Sequence, residues 1–337
     1  MIPKITPTFE ADRSVIAVGL NDGVGAGTTE LHIIRPYPGT DPRYVKYLVS
    51  SRPFLLGGEA EMIGVAGQKR VPDSWLRNVR VHVTTKAGQA AIADFLDIET
   101  ARIDSLITKK RQMVELLVKK RAAQISQILW HDATYDRVRV RHLAGRPTSG
   151  NRDHGALTFT SAGIPCLRGL NIRPARIDRQ NLLCIDEASN HIHSNTILRF
   201  DDLVIVRSGF AGSAALVPHD LDGCNCVDLV LVRKSPTLMP RYLEYVVNSD
   251  RAQEQVRQTT SGALLSHFNA VDAGDLIIPY RELRQQERIA VQLDSTCSKI
   301  DRTVDLIQAE IVLLQEHRRA LITAAVTGEM DVPGVST

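Results

Sequence analysis

The sequence predicts an α+β protein: two mixed domains joined by two long helices that pack as an antiparallel coiled coil, arranged as a pseudo-two-fold repeat. Three observations predict it. Gln89 to Leu129 contains no Pro or Gly and reads as one helix. Gln286 to Val326 repeats that stretch without a gap, at a register of 197 residues (286 − 89). Upstream of each helix, Leu31 to Ser51 recurs as Leu229 to Ser249, at a register of 198 (229 − 31).

The helices come first because they constrain the rest. Ala, Leu, Lys, Arg, Gln and Glu dominate both stretches, and all are strong helix formers. At about 1.5 Å per residue each would run roughly 60 Å. The apolar residues fall on one stripe, with charge on the other face. In the second copy Ile300, Ile307, Leu314 and Leu321 recur every seven residues. That spacing is a coiled-coil seam. The seam is Leu96, Ile103, Ile107, Val114 and Leu117 on the first helix, and Leu293, Ile300, Ile307, Ile311 and Leu314 on the second. A helix this long with a single apolar stripe cannot bury it alone, and two similar helices in one chain can bury theirs against each other.

The chain divides into 1–86, a first mixed domain; 87–131, a central helix; 132–284, a second mixed domain; 285–328, a C-terminal helix; and 329–337, a tail. Met1 to Val15 shows no clear pattern. Thr28 to Arg35 and Trp75 to Val83 read as strands, and Arg43 to Ser51 as a short helix. In the second domain the strand candidates are Val138–Leu143, Ile197–Phe200, Leu203–Arg207, Ala214–Val217, Val227–Val232 and Leu276–Pro279, with a helix opening at Pro240. The copies are unequal: about sixty residues of the second domain have no counterpart before Glu30. A half-length domain and a shortened descendant of a longer ancestor both fit.

Length and composition bound the rest. At 337 residues, two or three domains are expected. A net charge of +3 is compatible with nucleic acid without pointing to it. The five cysteines, an odd number with no C-x-x-C pair, are expected to be reduced thiols in the cytoplasm. No charged n-region precedes an apolar run, so no signal peptide is expected, and no apolar run of about 18 residues exists to span a membrane.

Catalytic signatures are missing. Gly23-Val-Gly-Ala-Gly27 is not G-x-G-x-x-G, and there is no G-x-x-x-x-G-K-[ST] loop. His191-Ile192-His193 would put two His on one face of a strand, yet no further ligand follows at zinc spacing, so no metal is expected. The second domain's loops carry more. Arg168, Asn171 and Arg173 lie among Gly and Pro, and Arg207, Ser208 and Ser213 bracket a Gly-rich turn after a strand. Arg137, Arg139 and Arg141 alternate nearby, and Arg146 follows. Such side chains reach base edges and phosphates. Solvated loop residues with ordinary charge pairing are an equally good reading of the residues alone.

The order domain–helix–domain–helix, with Ile92-Ala93-x-x-Leu96-Asp97 and Arg102-Ile103-Asp104 echoed by Ile289-Ala290-x-x-Leu293-Asp294 and Lys299-Ile300-Asp301, resembles the DNA-specificity subunit of type I restriction–modification systems. Ile164-Pro-x-Leu-Arg168-Gly-x-Asn171-Ile172 and Arg207-Ser208-Gly209 resemble a target recognition domain, and the stretch from Arg319 to Val332 resembles the family's second spacer helix and tail. The likeness runs from about Leu31 to Val332. It implies two target recognition domains, the first shortened, each reading half of a split site on double-stranded DNA, with the helix pair fixing the spacer. It implies no catalytic residue in this chain and DNA contacts from Arg146, Arg168, Asn171, Arg173, Arg207, Ser208 and Ser213. It also implies methyltransferase subunits that use S-adenosylmethionine to methylate adenine, and restriction subunits that use ATP and Mg; no membrane is involved. The alternatives are a coiled-coil interaction scaffold without nucleic acid, an inactive remnant of such a subunit, or an enzyme with a diverged site in the second domain, for which no paired ionisable residues present themselves.

Overall fold

The computed structural model describes residues 1–65, 67–131, 135–151, 157–260 and 267–335. The elements, in chain order, are β1 (Ile2–Pro3), β2 (Leu31–His32), α1 (Pro42–Val49), α2 (Arg52–Ala60), α3 (Asp73–Asn78), α4 (Lys86–Trp130), β3 (Arg137–Arg139), α5 (Val140–Leu143), β4 (Thr148–Ser149), β5 (Phe159–Thr160), β6 (Ile164–Leu167), β7 (Ile172–Arg173), β8 (Arg176–Ile177), β9 (Leu183–Ile185), α6 (Glu187–Ile192), β10 (Leu203–Val206), β11 (Ala214–Leu216), β12 (Asn225–Cys226), β13 (Leu229–Val232), α7 (Pro240–Val247), α8 (Asp250–Thr260), α9 (Ala270–Asp275), β14 (Ile277–Pro279) and α10 (Leu283–Thr327). They form two compact units, one of Met1–Glu115 with Val304–Thr337 and one of Leu116–Thr303. Each unit holds one mixed domain and a part of both long helices.

The long helices match the repeat to the residue. Both are 45 residues long, and both ends obey the 197 register (283 − 86 and 327 − 130). Each extends the sequence reading by three residues at its start and one at its end. Gly88 falls in the first turn of α4, where it costs little. At the end of α10, Gly328 takes φ +77°, and the Met330 N–H returns to the Ala324 carbonyl, a C-terminal cap that a residue with a side chain would strain.

Within the first unit α4 and α10 run antiparallel, since partner numbers fall as they rise: Asp104 pairs with Arg318 and Lys110 with Glu310. Ile92, Leu96, Ile103 and Ile107 are buried there, as are Ile307, Ile322, Ala325 and Val326, while Val114, Ile311 and Leu314 are half-buried. In the second unit Arg121 pairs with Asp301, Leu293, Cys297 and Ile300 are buried, and Leu117 is half-buried. Ile125 and Leu129 share a core cluster with Leu293 and Cys297. Every predicted seam residue thus faces inward.

Each mixed domain is fastened to a helix start by the same bonds. In the first unit Gln89 accepts from the Asp41 N–H (3.1 Å) and donates to the Thr84 carbonyl (2.9 Å). The Tyr44 hydroxyl donates to the His82 carbonyl (3.0 Å), and Tyr47 and Arg43 donate to the two oxygens of Asp97 (2.7 and 3.0 Å). In the second, Gln286 accepts from the Met239 N–H (2.7 Å) and donates to the Arg281 carbonyl (2.6 Å), the counterpart of Thr84. Tyr242 donates to the Pro279 carbonyl (2.7 Å), and Tyr245 and Arg241 donate to Asp294 (2.7 and 2.6 Å). Both α1 and α7 open on Pro at the first turn, where a missing N–H is harmless. Their buried tyrosines need a partner for each hydroxyl, and the helix start provides it.

The second domain carries a buried antiparallel sheet in the order β11-β10-β13-β4, a second sheet β12-β6-β9-β5 in which only β12 and β6 are parallel, and the pairs β7-β8 and β14-β3. Several strands differ from the sequence reading. Thr28–Arg35 shortens to β2. Trp75–Val83 is no strand: Pro72 and Asp73 start α3 instead, and Trp75 packs edge-on against Phe54 (centroids 5.1 Å). Val138–Leu143 breaks after Arg139 into a helical turn, and Ile197–Phe200 lies outside the strands. His191 and Ile192 end α6, so the alternating face expected of His191 and His193 does not form.

Candidate nucleic-acid interface

The loops that leave β6 and β10 adjoin. A Cβ on Gly169 would lie 3.4 Å from Val206, and the Arg173 guanidinium stands 5.8 Å from the centre of the Phe210 ring. Arg168 ends β6 and donates from Nη2 to the Asn181 carbonyl (2.9 Å), leaving it half-exposed. Arg173 is half-exposed beside it. Arg207 ends β10 with its guanidinium almost buried and paired to Asp228 at 2.5 Å. Ser208 follows and shares a hydrogen with His267 Nδ1 at 2.7 Å. Phe210 stands out at the tip of the turn, 73% exposed, between Gly209 and Gly212, both at positive φ. The arrangement is a rim of two half-exposed cations, a hydroxyl, an imidazole and a bare ring, a composition suited to phosphate and base edges.

Two sequence-predicted residues belong elsewhere. Asn171 is fully buried. Its amide accepts from the Arg168 N–H (3.1 Å) and donates to the Asp178 and Gln180 carbonyls (3.1 and 3.3 Å), so its polar capacity goes into folding the loop rather than toward a ligand. Arg146 is exposed but lies at the wrong end of the sheet. β4 pairs Ser149 with Val230 and Thr148 with Leu231, which carries Arg146 past the Val232 end of β13, whereas Arg207 sits past its Leu229 end. At about 3.3 Å per residue the positions that face them, Asp228 and Arg233, are roughly 16 Å apart. Ser213 stays at the base of the turn, where its carbonyl accepts from the Val206 N–H. Arg139 and Arg141 do not form an open stripe, because both pair with Asp275 of α9.

Sequence reasoning missed Asp228, His267 and Phe210. Asp228 takes φ +53°, and only strand pairing shows that it faces Arg207. Phe210 had a readable signal, an aromatic residue between two glycines after a strand.

Among the described residues no group of His, Cys, Asp and Glu could hold a metal. The buried cysteines are poor nucleophiles: burial pushes Cys166 and Cys224 up to about 12 and raises Cys226 well above the ordinary thiol value, so all three remain protonated thiols near neutral pH. Among the described residues no helix is long and apolar enough to cross a membrane.

The architecture is that of two mixed domains, each fastened to the start of one of two long helices. The chain has the fold of the specificity subunits of type I restriction–modification systems. It matches a chain from a solved structure on complex assembly and conformational transition of the type I R-M system with a TM-score of 0.71, over 86% of this chain and 72% of that one, at 14% identity. It matches the HsdS subunit of Thermoanaerobacter tengcongensis with a TM-score of 0.53, over 86% and 71%, again at 14% identity. In sequence it is 44% identical over 92 residues to the EcoEI specificity subunit of Escherichia coli, 49% over 80 residues to the EcoAI specificity subunit of the same species, and 23% over 176 residues to the StySPI specificity subunit of Salmonella potsdam. These matches take in 27%, 23% and 50% of this chain, and only 16%, 13% and 36% of the relatives' own lengths. No family model matches the chain.

Proposed function

We propose that this chain is a non-catalytic DNA-recognition subunit of a type I restriction–modification complex, and that its second domain reads one half of a split site on double-stranded DNA. The observation that carries the reading is the duplicated frame, in which the same Gln, Tyr and Arg bonds fasten a mixed domain to the start of each helix of an antiparallel pair. A frame of that kind spaces two domains and has no need of a reactive group. Arg168, Arg173 and Ser208 supply contacts from the loop rim, and Arg207, held by Asp228, sets the base of that rim. Phosphate contacts from such cations make affinity steeply salt-dependent. Methyltransferase subunits that methylate adenine with S-adenosylmethionine, and restriction subunits driven by ATP and Mg, are the partners this reading requires.

The test is co-expression with a type I methyltransferase subunit in a host lacking other adenine methylation, followed by long-read methylome sequencing. A split adenine-methylated motif that disappears with Arg168→Ala, while the complex still co-purifies, is the expected result. An intact complex with no motif in the unsubstituted chain would favour the scaffold.

A further inference from the structure

The turn between β7 and β8 sets two arginines against each other. Arg173 and Arg176 are directly opposed partners in the antiparallel pair, as Ile172 and Ile177 are. Opposed residues share one face of the ribbon, with Cβ atoms about 5 Å apart, so like charges there repel. Elsewhere in the second domain arginines find a counter-charge: Arg141, Arg179, Arg207, Arg233 and Arg241 each meet an aspartate. Among the described residues Arg173 and Arg176 meet none. Arg176 is exposed and Arg173 half-exposed, and the hydrogen bond of Arg173 goes to the carbonyl of its own neighbour Ile172 (3.2 Å). Asp178, the nearest carboxylate along the chain, accepts from the Gln180 N–H (3.0 Å).

The backbone holds the pair there under strain. Pro174 and Ala175 form the turn, and Ala175 takes φ +56° at the position where a turn opened by Pro favours glycine. Strain of this kind gathers at binding sites. The Ala175 N–H donates to the Ala214 carbonyl at 2.9 Å, and Asn248 brackets Ala214, accepting from its N–H (3.0 Å) and donating to its carbonyl (2.9 Å). The hairpin tip is thereby tied to the buried sheet. The Arg173 guanidinium stands 5.8 Å from the centre of the exposed Phe210 ring, within reach of a cation–π contact. Two anchored cations without a counter-charge, beside Arg168 and Ser208, make a site for a compact anion. A guanine edge offers two neutral acceptors, enough for one guanidinium, and leaves the repulsion in place. A phosphate brings the charge that cancels it.

We propose that Arg173 and Arg176 clamp a single phosphate of the DNA backbone between them, each guanidinium donating to its non-bridging oxygens. The inference rests on the DNA-reading function proposed above and divides that rim in two. The β7–β8 hairpin carries no sequence information; it fixes the register in which Arg168, Ser208 and Phe210 meet the bases.

The test uses the full chain in complex with its methyltransferase subunit, and a duplex carrying the motif found by methylome sequencing. Single neutral methylphosphonates are walked along each strand. One position is expected at which the neutral linkage weakens binding of the unsubstituted complex about tenfold. On the unmodified duplex Arg173→Gln and Arg176→Gln should each weaken binding. The double variant should reduce the slope of log affinity against log salt by about one, the value for one phosphate and not two. With the methylphosphonate at the sensitive position, neither substitution should weaken binding further. The methylated motif, co-purification and far-ultraviolet circular dichroism should be the same in every variant. A motif relaxed at one base in either variant makes that arginine a base reader and overturns the proposal. So does unaltered affinity, a slope loss near two, or a methylphosphonate scan in which the two substitutions lose their effect at different phosphates. An unsubstituted complex that directs no motif fails the DNA-reading function itself, and the clamp with it.

Discussion

The two domains share their fastening and little of what surrounds it. At the junctions, Arg43, Tyr44 and Tyr47 do in the first domain what Arg241, Tyr242 and Tyr245 do in the second. One turn away the chemistry diverges. Glu244 is buried, accepts from the Leu216 N–H of β11 at 2.9 Å, and pairs with Arg241. Its counterpart Lys46 is half-buried, with its ammonium 4.4 Å from the Tyr47 ring centre. Val230, in the middle of β13, is matched by His32, buried against the Val71 carbonyl at 3.1 Å. The difference teaches that the bonds to the helix start depend on residue identity, whereas the domain interior has only to be filled and satisfied.

The largest effect that can break the comparison lies in the two arginines. Arg241 neutralises a carboxylate that has almost no solvent, so Arg241→Ala leaves Glu244 buried and unpaired, at a cost of about 3 kcal/mol. Arg43 pairs with Asp94 and Asp97, both substantially exposed, and with Asp41, so Arg43→Ala should cost about 1 kcal/mol. Denaturant unfolding followed by native-state hydrogen exchange in each unit measures both. Equal costs would mean that Glu244 is protonated or solvated when Arg241 is absent, and that the two clamps are energetically one device.

Acid separates the domains next. Burial, aided by Lys4, holds His32 below the ordinary histidine pKa of 6.5, against the Val71 carbonyl and Asp73, which favour the charged ring. A depressed histidine contributes fully above 6.5 and loses stability as pH falls through 6.5 toward its folded value, because the unfolded chain takes the proton first. Glu244 runs the other way. Burial outweighs Arg241 and raises it above 4.5, so its contribution is greatest below 4.5 and declines as pH rises through the folded value. His32→Val, which installs the second domain's residue, should remove the acid loss from the first unit alone, and Glu244→Gln should flatten the opposite trend in the second. Hydrogen-exchange protection of each unit between pH 4 and 8 reads the two separately, and a His32→Val protein with an unchanged acid limb would place that loss in other groups.

The helices were legible because their physics is local: propensity, a single stripe and a repeated register fix them within three residues. The rim was legible only in part. Asn171 reads from sequence as a side chain that could meet a base, yet a turn from Arg168 to Gln180 needs an internal polar bridge and takes it. Arg146 stands close in sequence to the second domain's other arginines, and pairing alone separates it. Trp75 to Val83 alternates well enough for a strand but has no strand to pair with, so the start signal at Pro72 and Asp73 prevails.

The smallest effect is also the sharpest test of the repeat along the helices. Asp104 pairs with Arg318 at 3.0 Å in the first unit, and Arg121 with Asp301 at 2.9 Å in the second. Under the 197 register these are one pair with its halves exchanged between helices, since 104 + 197 = 301 and 121 + 197 = 318. Both carboxylates are about half exposed, 53% and 52%, and each Arg Nε, although close to its carboxylate, lacks the alignment of a hydrogen bond. Charge at short range in a wet setting is left, worth about 0.5 kcal/mol per pair and weakened by salt. Double-mutant cycles with Asp→Asn and Arg→Gln should return equal coupling for the two pairs, each falling between 0.05 M and 0.5 M salt. A coupling above about 1.5 kcal/mol in one pair alone would mean that one unit dries its helix contact and the other does not, and the likeness of the two helix contacts would then be one of sequence and not of energy.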